Sequence, residues 1–140
     1  MKILGNKQHT NGLIVKHRKH AIILECINGE ENILENNYLF SFAFTPDEFR
    51  KFAEYIKEIS NVAWKDIKPK LANSEGSDYY EYYDRRYDNN GYLSIVDKKK
   101  HIELHVEAPY GSKDTLYQFN KPKIQSFIYD INELLDGMKI

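Results

Sequence analysis

Apolar residues recur at Phe49, Phe52, Ala53, Ile56 and Ile59, a three-and-four spacing that lays them along one side of a helix. Arg50, Lys51, Glu54 and Lys57 fall on the opposite side. The local start signals agree. Thr45 suits an N-cap, Pro46 a first helical position where a missing N–H costs nothing, and Glu48 closes a capping box. Phe44 and Phe49 have the spacing of a hydrophobic staple. The plan returns at Asn120, with Phe119 and Ile124 as the staple, Ile124, Phe127, Ile128, Ile131 and Leu134 as the stripe, and Gly137 to end it. Cap, staple and stripe correspond between the two helices at a constant separation of 75 residues. Shared helical periodicity does not impose a shared register, so the pattern predicts a duplicated unit.

Short runs rich in β-branched residues precede each helix. Leu13-Ile14-Val15 follows Asn11-Gly12, and Tyr92-Leu93-Ser94-Ile95-Val96 follows Asn90-Gly91; Asn-Gly predicts a two-residue hairpin turn because both positions accept positive φ. Each run leads into a basic turn, Lys16-His17-Arg18-Lys19-His20 in one half and Lys98-Lys99-Lys100-His101 in the other. Third strands are expected over His20–Ile27 and His101–Glu107, and fourth strands over Tyr38–Phe44 and Thr115–Phe119, after loops holding Gly29 and Gly111. Opening strands are expected over Lys2–Leu4 and Tyr79–Tyr87. Ala72-Asn73-Ser74-Glu75-Gly76-Ser77 reads as a linker, and Val62, Ala63, Trp64 and Ile67 as packing on the sheet just before it. The expected fold class is α+β: four antiparallel strands followed by one helix, twice over, giving two sheets backed by two helices. The chain is read as a single domain over residues 1–140, with units of about 1–60 and 78–140 and a linker of about 61–77.

Gly91–Glu107 and the capped helix from Asn120, matched in the first half by Leu13–Glu25 and Thr45–Ile59, resemble the Whirly, Pur-alpha and positive-coactivator-four group of single-stranded nucleic-acid-binding proteins. The resemblance implies paired units, within one chain or between two, that bind single strands across curved sheets. It implies single-stranded DNA or RNA as the partner and an accessory role in transcription or replication. It also leaves a homo-oligomer open.

Composition narrows the picture. A net charge of −1 argues against a polyanion coating the whole surface. A local basic groove still acts within about 8–10 Å in physiological salt. Eleven Tyr and seven Phe supply ample material to bury, which opposes disorder. Cys26 is the only cysteine and lies in an apolar run, so neither an internal disulfide nor a cysteine zinc site can form, and it reads as a core residue. Met1–Asn6 turns polar too early for a signal peptide, and no apolar run approaches the ~18 residues of a membrane span. A cytoplasmic protein without a membrane partner is expected.

Single-strand binding needs cations that follow phosphates and flat rings on which bases stack. The basic turns supply Lys16, Arg18, Lys19, Lys98, Lys99 and Lys100, and Tyr79–Tyr87 supplies rings beside Arg85 and Arg86. On a continuous strand Tyr79, Tyr83, Arg85 and Tyr87 would share one face, and Tyr80, Tyr82 and Arg86 the other. One face must be core, so at most about half of these rings can be binding residues. Solvated hairpin tips and sheet-packing Tyr pairs explain the same residues without a ligand. His101, Glu103 and His105 would line up on one side of a strand, as a metal site or as the polar face of an amphipathic strand; the latter reading is taken, and neither metal nor cofactor is assigned. The chain has no Gly-x-Ser-x-Gly elbow, Walker loop, Gly-x-Gly-x-x-Gly turn or His-Glu-x-x-His motif, and it is read as a non-enzyme. The alternative of a different class is a protein-binding inhibitor, such as an immunity or phage anti-defence protein, with Tyr79–Tyr87 as its contact surface, since Tyr and Arg are enriched at interface hot spots.

Overall fold

The computed structural model describes residues 2–4 and 12–138. Its elements run β1 (Lys2–Leu4), β2 (Gly12–Arg18), β3 (Ala21–Ile27), β4 (Glu30–Asn32), β5 (Asn37–Phe44), α1 (Pro46–Ala63), β6 (Glu81–Asp84), β7 (Asn89–Asp97), β8 (Ile102–Pro109), β9 (Thr115–Phe119) and α2 (Lys121–Gly137). The α+β class and the duplicated order are as expected. Both helices begin at the anticipated caps. Thr45 Oγ1 accepts from the Glu48 amide at 3.2 Å while the Glu48 carboxylate accepts from the Thr45 amide at 2.8 Å. Asn120 Oδ1 accepts from the Lys123 amide at 3.0 Å.

The pairing of the strands goes beyond anything the local patterns specify. One antiparallel sheet has the order β1-β2-β3-β9 and the other β4-β5-β8-β7-β6. Each unit therefore keeps its first three strands together and lends its fourth to the other unit: β9 pairs with β3, and β5 with β8. Swapping the units maps one sheet's order onto the other, with β4 as an addition to the second. Ile22 faces Phe119 where Ile102 faces Phe44, so the second and third strands correspond at a separation of 80 residues and the fourth strand at 75. The difference lies in the β4–β5 hairpin, which lengthens the first unit.

Alternation along the strands turns one face of each sheet inward. Leu13, Val15, Ile22, Leu24, Tyr117 and Phe119 from the first sheet, and Phe40, Phe42, Leu93, Leu104 and Val106 from the second, join the helix stripes in one buried cluster. Phe44 and Phe49 meet at 6.0 Å between ring centroids, as the staple requires, and Phe52 and Phe127 meet edge-on at 6.4 Å across the helix pair. Cys26 is fully buried, and burial pushes its thiol up, out of the reactive range. Ala63, Trp64 and Ile67 pack partly buried against this core, whereas Val62 is exposed, contrary to expectation. α2 then anchors the connecting segment. Gln125 Nε2 donates to the Lys68 carbonyl, Ser126 Oγ to that of Ser77, and Lys123 Nζ to those of Asp78 and Glu81.

Three local expectations are corrected. Gly91 lies inside β7, not in a turn; a Cβ there would collide with the Tyr82 ring, so the glycine makes room for an aromatic side chain. Gly12 lies in β2 and corresponds in register to Tyr92, while its neighbour Asn11 falls outside the described residues. Lastly, the Tyr79–Tyr87 strand shrinks to Glu81–Asp84. Asp78 Oδ1 accepts from the Tyr80 amide and Asp84 Oδ1 from the Arg86 amide, both at 2.9 Å, and these local turns close the strand at both ends.

Candidate functional site

Because the strand is short, its residues do not divide between two faces as anticipated. Tyr79 is buried: its ring packs edge-on against Phe127 at 5.0 Å and its hydroxyl donates to Asp130. Burial, reinforced by the Asp130 carboxylate, pushes its phenol well above the ordinary range. Tyr79 is therefore a core residue whose ring no base could reach. Tyr82 points inward as well, 4.6 Å from the Tyr117 ring. Tyr83 points outward and is 57% exposed, with its hydroxyl bonded to Asp88. Tyr87 is half-buried; it donates to the Gly111 carbonyl at 2.9 Å, and the Arg86 guanidinium lies 5.8 Å from its ring centroid. Arg85 is exposed in the turn that follows β6.

The strand exchange sets β6, an edge of one sheet, beside β9, an edge of the other. Between them opens a cleft of about 540 Å³ lined by Tyr83, Arg85, Arg86, Leu116, Gln118 and Lys123, with the buried Asp84 at its base. Desolvation lowers the Lys123 ammonium from its usual value while Asp78 and Glu81 act against the shift. Leu116 is 51% exposed, so the cleft offers an apolar patch as well as cations.

The outer face of the first sheet leads into this cleft. Lys16 faces Ile23, and Ile23 faces Gln118, so one row crosses from β2 over β3 to β9 and reaches the cleft wall. At the usual strand spacing that row spans roughly 10 Å. The Lys16 ammonium sits 2.8 Å from the Glu25 carboxylate, and Arg18 and Lys19 stand exposed beyond it. Lys121 and Lys123, in the first turn of α2, lie beside the same end of the sheet, because Phe119 is paired with Ile22 immediately before the helix starts.

Lys98, Lys99 and Lys100 are exposed in the β7–β8 turn, but they lie elsewhere. Arg85 and Arg86 adjoin the start of β7 and the lysines follow its end, about 26 Å away along a nine-residue strand. Beside the lysines, the outer face of the second sheet carries Glu103, whose two oxygens contact His101 Nε2 at 2.6 Å and His105 Nε2 at 2.7 Å. Those two imidazoles hold the Glu103 carboxyl below its ordinary range. Among the described residues no group of three or more His, Cys, Asp or Glu is arranged to hold a metal ion.

No family model matches this chain, and no curated protein or solved structure matches it either.

Of the residues singled out from sequence, Tyr83 and Arg85 line the cleft, and Lys16, Arg18 and Lys19 lie on β2 and the β2–β3 turn, two strands in from the β9 edge. Tyr87 is tied to a neighbouring loop, Tyr79 is in the core, and the three lysines from 98 to 100 are at the far end of the second sheet. Sequence reasoning passes over Lys121 and Lys123. A signal is present, since cations in the first turn of a helix oppose the macrodipole, and a locally unfavourable choice often marks a functional position. No helix among the described residues is long and apolar enough to cross a membrane.

Proposed function

We propose that the protein binds single-stranded nucleic acid along the outer face of the β1-β2-β3-β9 sheet, from the β2–β3 turn into the cleft between β9 and β6, as an accessory factor acting on DNA or RNA. One observation carries this reading. Arg85, Arg86 and Lys123, from two separate segments, line one cleft at a sheet edge beside the exposed Tyr83 ring, and the outer face of the adjoining sheet leads from that cleft toward Arg18 and Lys19. A chain of net charge −1 has no surplus of cations, so their gathering in one place is what supports a polyanion partner. The ring and the exposed Leu116 support unpaired bases over duplex, because a stacked base contributes about 1–3 kcal/mol and a paired base has no free face. The paired-unit topology of the Whirly, Pur-alpha and positive-coactivator-four group is consistent with the same reading.

Fluorescence anisotropy with single-stranded and duplex oligonucleotides at two salt concentrations tests it. The expected result is tighter binding of the single strand, with affinity falling steeply as salt rises. Replacing Arg85 and Arg86 with Gln should weaken binding and flatten the salt dependence by about 0.7 log unit for each phosphate no longer neutralised. Tyr83→Leu should weaken binding and leave the salt slope unchanged, since stacking releases no counterions. Wild-type protein that fails to bind either oligonucleotide at low salt removes the proposal.

A further inference from the structure

The cleft between β6 and β9 contains one group that phosphate binding leaves unused. Asp84 lines it and is only 9% exposed. Its Oδ1 accepts from the Arg86 amide at 2.9 Å. Among the described residues Oδ2 has no hydrogen-bond partner, and none of Arg85, Arg86 and Lys123 closes an ion pair on it, although all three line the same cleft. Oδ2 is not sealed away from solvent, so a group entering the cleft can reach it. A carboxylate this deeply buried, with one oxygen free, calls for a donor.

An ionised phosphate cannot be that donor, since it brings no proton and is repelled by like charge. Arg85 and Arg86 are exposed whereas Asp84 is buried, so a phosphate meets the guanidinium groups and the carboxylate lies deeper, where a base would point. A carboxylate only accepts, through two oxygens side by side, and it fits a ligand edge with two adjacent N–H donors. Among the common bases guanine has such an edge, N1–H beside the N2 amine. Adenine and cytosine set one amino group beside an acceptor nitrogen, and thymine and uracil set one N–H between two carbonyls. Gln118 on the opposite wall is exposed, and its amide can donate to the neighbouring guanine O6. The cleft, at about 540 Å³, lies within the ~300–1,000 Å³ of pockets that take small organic ligands, which is room for one nucleotide.

We propose that this cleft reads one guanine, its Watson–Crick edge on the Asp84 carboxylate, its ring beside Tyr83 and its phosphate at Arg85 and Arg86. The inference rests on the single-strand reading above and adds to it a specificity-determining residue. A single cleft makes the preference positional, so one guanine in a strand suffices. A paired guanine has this edge engaged, and the contact therefore also discriminates against duplex. The same chemistry is offered by a guanine within a strand and by free guanosine monophosphate.

Fluorescence anisotropy at low salt, with strands of about ten thymines carrying one central guanine, adenine, cytosine or inosine, reads the preference. The guanine strand should bind about tenfold tighter than the adenine and cytosine strands, the discrimination of one bidentate contact. Inosine keeps N1–H and O6 but lacks the N2 amine, so its strand should lose most of that advantage. Asp84→Asn keeps an oxygen for the Arg86 amide but offers no second acceptor. With an unchanged circular dichroism spectrum, it should bring the guanine-to-adenine ratio to about one. Competition by guanosine monophosphate separates the two sources: displacement of the guanine strand means that one nucleotide suffices, and no displacement beside a tenfold preference means that the rest of the strand is needed. Equal affinity for all the strands overturns the inference while single-strand binding stands. So does a guanine preference that inosine matches or that survives Asp84→Asn. If no strand binds, the single-strand reading falls, and calorimetric titration with guanosine monophosphate decides the cleft alone: binding lost in Asp84→Asn upholds it, and no binding overturns it.

Discussion

The two hairpin ends, built on one plan, differ in what surrounds them. By register, the row Lys16–Ile23–Gln118 on the first sheet corresponds to Val96–Glu103–Ala43 on the second. Arg18 and Lys19 correspond to Lys98 and Lys99. The helix beside the first end opens with Lys121 and Lys123, and the helix beside the second opens with Asp47 and Glu48. Cationic turns are common to both ends, but one turn stands among cations and the other among carboxylates. Charge clusters act through their surroundings within about a Debye length, so a pair of similar sequences need not make a pair of similar sites.

The comparison can be pressed first where the halves should be alike. Phe52 and Phe127 are counterparts, both buried in the common core. Phe52→Ala and Phe127→Ala should each cost about 3–5 kcal/mol, read by urea denaturation with one transition shared by fluorescence and circular dichroism. Two separated transitions in either variant would mean that the halves fold independently, and the shared core would lose its meaning.

A smaller effect, about tenfold in affinity, should separate the ends. Changing Lys16, Arg18 and Lys19 to Gln should weaken single-strand binding by about that factor and flatten its salt slope, while the same change at Lys98, Lys99 and Lys100 should alter both much less. Equal losses in the two variants would show that the carboxylates near the second turn do not matter.

The smallest effect isolates the Glu103 row. The carboxyl is held below its ordinary value of 4.5 by His101 and His105, so its contribution to stability is full above that value and fades as acid carries the pH through the lower folded value. Wild type and Glu103→Gln should differ by about 0.5 kcal/mol or less at neutral pH, the scale of a solvent-screened surface contact, and should converge in strong acid in thermal melts taken across the range. A difference that stayed undiminished in strong acid would reverse the assignment.

What can be read from the chain in advance is the local part. Thr45, Pro46, Glu48 and Phe49 act on one another within a single turn, so the start of α1 is written in five residues, and the same is true at Asn120. Strand limits follow the same rule where apolar alternation is clean, as in Thr115–Phe119. The exchange of β5 and β9 is not legible, because nothing in Thr-Leu-Tyr-Gln-Phe specifies Cys26–Ile22 as its partner; that choice belongs to the whole core. Asn90-Gly91 misleads for a related reason. Its turn propensity is local, but the space above Gly91 is taken by Tyr82, and the chain turns instead just before β7, with Asp88 at φ 48°. The candidate site is half visible. Tyr83 and Arg85 can be named, yet the cleft they share with Lys123 exists only after two sheet edges have been brought together. Glu30-Glu31-Asn32 carries no strand signal, since β4 is held by its pairing with β5 and not by its own side chains.

Lending out a fourth strand also changes what the linker around residues 72–77 does. Neither half has a complete sheet alone, so the linker does not join two finished bodies; it keeps each half near the strand it lacks, at an effective concentration on the order of millimolar for a short tether. Cutting the chain there would leave two fragments that still complete one another. Separately made halves would find each other only above the concentration at which that complementation outcompetes pairing with their own kind.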